Sequence, residues 1–111
     1  MDLADCVFCG IVARQVPAHV RYEDDELIVF DNRLTVVPVM LLIVPKRHLT
    51  QSELWSDGPL LSRIGPLAVR LGRQYAPDGF RVLSNFGEDG LQTVMHGHVH
   101  VIGGVRLGLY V

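Results

Sequence analysis

Long apolar runs, long basic runs and glycine-rich phosphate loops are all missing from this chain of 111 residues. The most apolar stretch, Val36 to Val44, is about half the roughly 20 residues a membrane-spanning helix needs, and Pro38 interrupts it. No transmembrane segment is expected. The largest basic cluster is Lys46-Arg47-His48 in a chain of net charge -2. That is too small an electrostatic footprint for a nucleic-acid binder, so any phosphate ligand should be small and held locally. Neither Gly-x-Gly-x-x-Gly nor a Walker sequence occurs, which leaves Rossmann and P-loop folds without support. The start, Met1-Asp2-Leu3-Ala4-Asp5, carries acids where a secretory signal would carry positive charge, so cytoplasmic residence is the expectation. Repeats, low-complexity tracts and long linkers are also lacking.

Hydrophobic residues make up 49% of the chain and charged residues 20%. That balance supports a packed core and excludes intrinsic disorder, and the length suits one domain spanning residues 1–111. Val20 to Tyr22 and Leu27 to Phe30 are strand-like, with Asp24-Asp25 as the turn of a hairpin. Leu41 to Val44 is continuously apolar up to Pro45, as expected of a central strand buried on both faces. From Leu60 to Tyr75 apolar residues recur at three and four, which predicts an amphipathic helix capped by Ser56 or Asp57 with Pro59 in its first turn. Pro66 is the obstacle there, since it should kink the helix or displace its start. Trp55 and Tyr75 are expected to pack, with Trp55 at the beginning of the helix, and His19 is expected on the surface. After the turn Pro77-Asp78-Gly79, Phe80 to Leu83 and Val94 to Ile102 read as strands joined through Gly87-Glu88-Asp89-Gly90. The order strand, strand, strand, helix, strand, strand indicates an α+β fold with an antiparallel sheet.

Three of the five histidines fall at alternate positions in His96-Gly97-His98-Val99-His100-Val101-Ile102. On a strand they share one face while Val99 and Val101 enter the other. On a helix of 3.6 residues per turn the first and last would diverge by about 200°. The extended arrangement therefore makes a site. The same alternation also suits a solvated face of a half-buried sheet, or a metal site with three imidazole ligands. Cys6-x-x-Cys9 taken alone is compatible with zinc, with redox work or with no role, and without a second cysteine pair histidines would have to complete a zinc site.

This heptad resembles the His-φ-His-φ-His-φ-φ signature of the histidine triad (HIT) superfamily. Cys6-Val7-Phe8-Cys9, Phe30-Asp31, Leu42-Ile43-Val44-Pro45-Lys46-Arg47-His48, Asn85-Phe86-Gly87, Gln92-Thr93-Val94 and Gly103-Gly104 follow in the family's order. The closing glycines are more similar to the Hint-like branch than to the Fhit-like dinucleoside polyphosphate hydrolases.

The resemblance implies a HIT-like fold: an antiparallel sheet of about five strands, one main helix and a short N-terminal helix. It implies a nucleotidyl hydrolase or transferase acting on nucleoside phosphoramidates or adenylated compounds and releasing a nucleoside monophosphate. His98 corresponds to the nucleophile that carries the nucleotidyl group, with its second ring nitrogen donating to a backbone carbonyl of the motif. His100 would contact the phosphate oxygens, and Thr93, where relatives often have serine, would contact the leaving group or a phosphate oxygen. Asn32, Asn85 and Gln92 fall among the implied nucleotide-binding residues. In zinc-containing members the metal ligands match Cys6, Cys9, His48 and His96, giving a structural zinc. A homodimer is implied as well. Asn32 stands where an aspartate often binds the ribose, Leu91 where glycine is usual and Met40 where histidine is common, three departures from the pattern. The resemblance leaves two rival functions: a dinucleoside polyphosphate hydrolase and a nucleotide-binding scaffold with residual catalysis.

Overall fold

The computed structural model describes residues 5–33 and 36–110; the acidic start, Met1 to Ala4, lies outside them. Its elements run α1 (Val7–Val12), β1 (Val20–Glu23), β2 (Leu27–Asp31), β3 (Val39–Pro45), α2 (Gln51–Trp55), α3 (Gly58–Tyr75), β4 (Phe80–Leu83) and β5 (Val99–Gly103). The five strands form one sheet in the order β1-β2-β3-β5-β4, with every neighbouring pair antiparallel. This is the expected α+β arrangement, with β3 at the centre.

Alternation along the strands divides the core into two layers. Leu27 and Val29 of β2, Leu41 and Ile43 of β3, and Val99 and Val101 of β5 pack against Leu60, Ile64, Leu67, Ala68 and Leu71 of α3. Ile28, Phe30, Leu42 and Val44 point the other way and pack with Cys6, Phe8 and Ile11 around α1. Each large aliphatic side chain sealed into either layer contributes about 1.5–3 kcal/mol, an upper figure because the unfolded chain already hides some of its surface. Since β5 sends Val99 and Val101 toward α3, its even-numbered residues must face α1. His100 pairs with Leu42 across the ladder, on that second face.

The main helix begins where a cap allows it. Asp57 accepts from the Leu60 N–H at 3.0 Å, and Pro59 follows in the first turn. The helix then runs through Pro66 without ending or starting there. Pro66 is exposed, so water can reach the carbonyl whose bond the missing N–H would have made.

Three expectations need correction. The last strand starts at Val99, not Val94, because the backbone of Gly97 and His98 bonds to a loop carbonyl and to a side chain and not to a neighbouring strand. A short helix, α2, interrupts the connection between β3 and the main helix; Thr50 and Glu53 form a reciprocal capping box at its start. Trp55 belongs to α2 and is 42% exposed, touching Phe86 at 6.4 Å between ring centres instead of packing in the core. Tyr75 does pack against the α3 layer, and His19 is exposed as expected. Among the described residues no helix is long and apolar enough to cross a membrane.

Candidate functional site: a four-ligand metal cluster beside a histidine-lined cleft

Cys6, Cys9, His48 and His96 bring one donor atom each to within 4.8 Å of one another. Cys6 caps α1 and Cys9 lies one turn on, so both sulfurs leave the same end of the helix. His48 comes from the segment after β3. The His96 Nδ1 lies 3.4 Å from Cys6 Sγ and 3.5 Å from Cys9 Sγ, and the His48 Nδ1 lies 3.3 Å from Cys9 Sγ. A tetrahedron built on Zn–S bonds of about 2.3 Å and Zn–N bonds of about 2.05 Å has sulfur-to-nitrogen edges of about 3.6 Å.

The protonation pattern fits as well. His96 donates from Nε2 to the Pro45 carbonyl at 2.7 Å, which leaves Nδ1 with a lone pair facing the sulfurs. Burial, then the neighbouring Cys6 sulfur, pushes the Cys9 thiol up to about 11, so a metal bound here would displace the thiol proton. The Cys2His2 donor set therefore forms a site that fits zinc. Four protein ligands leave no open position, which marks a structural site and not a catalytic one.

On the same face, a cleft of about 460 Å³ is lined by Phe8, Phe30, Asn32, Thr93, His98 and His100, among others. His98 is 3% exposed. Its Nδ1–H donates to the His96 carbonyl at 2.6 Å, so Nε2 is the ring nitrogen left unprotonated. Burial holds the His98 pKa below the usual histidine value, against a smaller opposing effect from that bond. Phe8 stands perpendicular to the ring at 5.1 Å between ring centres. His100 lies 5.0 Å from His98 between ring centres. Burial first, and then His98, brings its pKa down to about 4. Among the described residues its Nε2 is the buried side-chain polar atom with no hydrogen-bond partner. A buried nitrogen left unsatisfied is costly unless a ligand meets it.

The structure thus brings Asn32, Thr93, His98 and His100 to one cleft and sets His96 behind it with the metal ligands. Asn85 and Gln92 do not line that cleft. The Gln92 amide is spent within its own loop, accepting from the Gly87 N–H at 3.0 Å and donating to the Val94 carbonyl at 3.1 Å. It faces a smaller groove beside Gln51, Phe86 and Met95. Several contributors were given no role in the site by the sequence. Phe8 and Ile11 wall the cleft from α1, and His19 lines its rim while pairing with Asp31 at 3.2 Å. Gln51 accepts from the His98 N–H at 2.8 Å, and Ser84 Oγ donates to the His98 carbonyl at 2.6 Å. The Thr50-x-x-Glu53 pattern was the available signal for Gln51, since a capping box marks a helix start.

Comparison with known proteins agrees with this geometry. Residues 13–107 match the HIT domain. The protein HitA of Neisseria gonorrhoeae is 32% identical over 105 residues, covering 89% of this chain and 95% of HitA. A HIT family hydrolase from Clostridium thermocellum superposes with a TM-score of 0.88 at 33% identity, covering 99% of each chain. A Zn-bound histidine triad family protein from Mycobacterium smegmatis gives a TM-score of 0.80 at 26% identity, covering 92% of this chain and 76% of that one. With the family's domain matched over most of the sequence and the fold of a HIT family hydrolase, this chain belongs to the HIT, or histidine triad, family.

Proposed function

We propose that this protein is a nucleotidyl hydrolase or transferase of Hint type, acting on nucleoside phosphoramidates or adenylated compounds through a nucleotidyl-histidine intermediate on His98. A single observation carries the reading: the Nδ1–H of His98 is committed to the His96 carbonyl, in a ring that lines a cleft beside the unpartnered His100 Nε2. The remaining lone pair, on His98 Nε2, attacks the α-phosphorus. The P–N or P–O bond to the leaving group breaks, and that group departs with a proton drawn from solvent, which the water of the second step gives back. Water then attacks the same phosphorus, the bond to Nε2 breaks, and a nucleoside monophosphate is released. Two displacements replace one harder one.

His100 Nε2, carrying the proton of a neutral ring, donates to a phosphate oxygen as charge gathers in the transition state. Thr93 offers its hydroxyl to the leaving group or to a phosphate oxygen. The apolar walls from Phe8, Ile11 and Phe30 take the base, and Asn32 takes the ribose hydroxyls through a neutral amide, a weaker acceptor than a carboxylate. Asn85 and Gln92, outside the cleft, shape the loop that presents Thr93 to the phosphate. Zinc, when bound, supplies a crosslink between α1 and the residues behind His98 and takes no part in the displacement. A single HIT domain carries the reaction, and two copies joined along the β4 edge, where Val82 is 41% exposed, account for the expected homodimer.

The test is turnover of an adenosine phosphoramidate and of a diadenosine polyphosphate by the wild type and by His98→Ala. The phosphoramidate should be preferred, and its hydrolysis should fall on the order of 10³-fold or more in the variant. Intact phosphoramidase activity in His98→Ala would overturn the assignment. Preference for the diadenosine compound would replace the substrate class with the Fhit-like one.

A further inference from the structure

The segment carrying His98 is fastened to α2 by more than apolar contact. Gln51 is 3% exposed, and its amide is used at both ends. Oε1 accepts from the His98 N–H at 2.8 Å, while Nε2 donates to the Asn85 carbonyl at 2.9 Å. One residue earlier in the same segment, the Gly97 N–H donates to the Leu49 carbonyl at 2.7 Å. A Cβ on Gly97 would stand 2.9 Å from the Thr50 carbonyl oxygen and 3.0 Å from Leu54 Cβ, so the segment lies directly against the helix start. The capping box made by Thr50 and Glu53 fixes that start, with Gln51 as the first helical residue.

We propose that Gln51 is a positioning residue for nucleotidyl transfer, holding the backbone of His98 and the Asn85 loop in one register. The role requires one acceptor and one donor on a single planar, uncharged group of the right length, and glutamine supplies both. Glutamate lacks the donor at neutral pH. Methionine lacks both and would leave a buried N–H and a buried carbonyl without partners. The inference rests on His98 as nucleophile, because only then does its placement relative to the loop govern the rate.

Kinetics of Gln51→Met and Gln51→Glu on an adenosine phosphoramidate test it, with the folded fraction of each variant measured by near-UV circular dichroism. In folded Gln51→Met, kcat should fall by about 10–100-fold with KM changed by less than about threefold, since misplacement by about an ångström costs that much. Gln51→Glu keeps the acceptor for His98 and should retain more kcat than Gln51→Met. The imidazole signals of His98 in nitrogen-15 NMR should also change, from one tautomer in the wild type to a mixture in Gln51→Met. The proposal is overturned if kcat of folded Gln51→Met stays within about twofold of the wild type, if losses in both variants merely track the folded fraction, or if the ring signals do not move. Should His98→Ala retain full turnover, the nucleophile reading fails, and the ring signals of Gln51→Met alone then decide whether Gln51 positions His98.

Discussion

Leu91 occupies a backbone conformation that its own side chain opposes. Its φ is 62°, in the left-handed region, and 77% of the residue is exposed, so little burial offsets the strain. Leu91→Gly should therefore stabilise the protein by about 0.5–1 kcal/mol, the relief of strain being partly cancelled by the freedom glycine regains when unfolded. Urea denaturation would measure it, and a loss of stability would show that the leucine side chain makes a contact worth more than the strain. At this scale the sequence was most legible where chemistry demands particular residue types. Cys6, Cys9, His48 and His96 meet as the family resemblance implied, and His98 and His100 line one cleft. Beyond the helix start that Thr50 and Glu53 announce, the roles of Gln51 and Ser84 were not legible, because a buried amide and a hydroxyl acting on backbone groups carry no spacing signature of their own.

Between elements, Asp24 ties the β1–β2 turn to α3. Its carboxylate accepts from the Glu26 N–H at 2.8 Å, the Leu27 N–H at 2.9 Å, the Tyr22 hydroxyl at 2.6 Å and Arg63 at 2.6 Å. Partial burial pushes this carboxyl up, but the four donors together outweigh it and bring the pKa down to about 2. Because the folded value lies below the unfolded value of 3.8, the stabilisation is fully present above about pH 4 and is lost as pH falls through about 2. Asp24→Asn should cost about 1–2 kcal/mol at pH 7, a figure discounted for solvent screening, and the gap to the wild type should close near pH 2. A gap unchanged across that range would show that the charge is not what matters. The hairpin and α3 were readable from periodicity and turn residues. The start of β5 was not, since His96 and His98 alternate like strand residues while the Gly97 N–H donates to Leu49, the His98 N–H donates to the Gln51 side chain and the His98 carbonyl accepts from Ser84. Alternation reports which face a side chain takes, and the rings obey it: Phe8 touches both His96 and His98.

Over the whole molecule, the metal ligands and the cleft form one connected body. Cys6 and His96 are 90 residues apart in sequence, so a bound zinc would close most of the chain into a loop. The same His96 presents its ring to the metal site and its carbonyl to the ring of His98. Metal analysis of purified protein should return one zinc per chain, and Cys9→Ser should lose it with a fall in Tm of about 5 °C or more. Full zinc content in Cys9→Ser would remove that residue from the site.

Whether a ring nitrogen of His98 takes the nucleotidyl group before water does is tested most directly by the stereochemical course at phosphorus. A phosphoramidate made chiral at the α-phosphorus with sulfur and hydrolysed in oxygen-18 water should give a product of retained configuration, because two in-line displacements each invert the centre. Net inversion would mean that water displaces the leaving group in one step, and would contradict a covalent intermediate on His98.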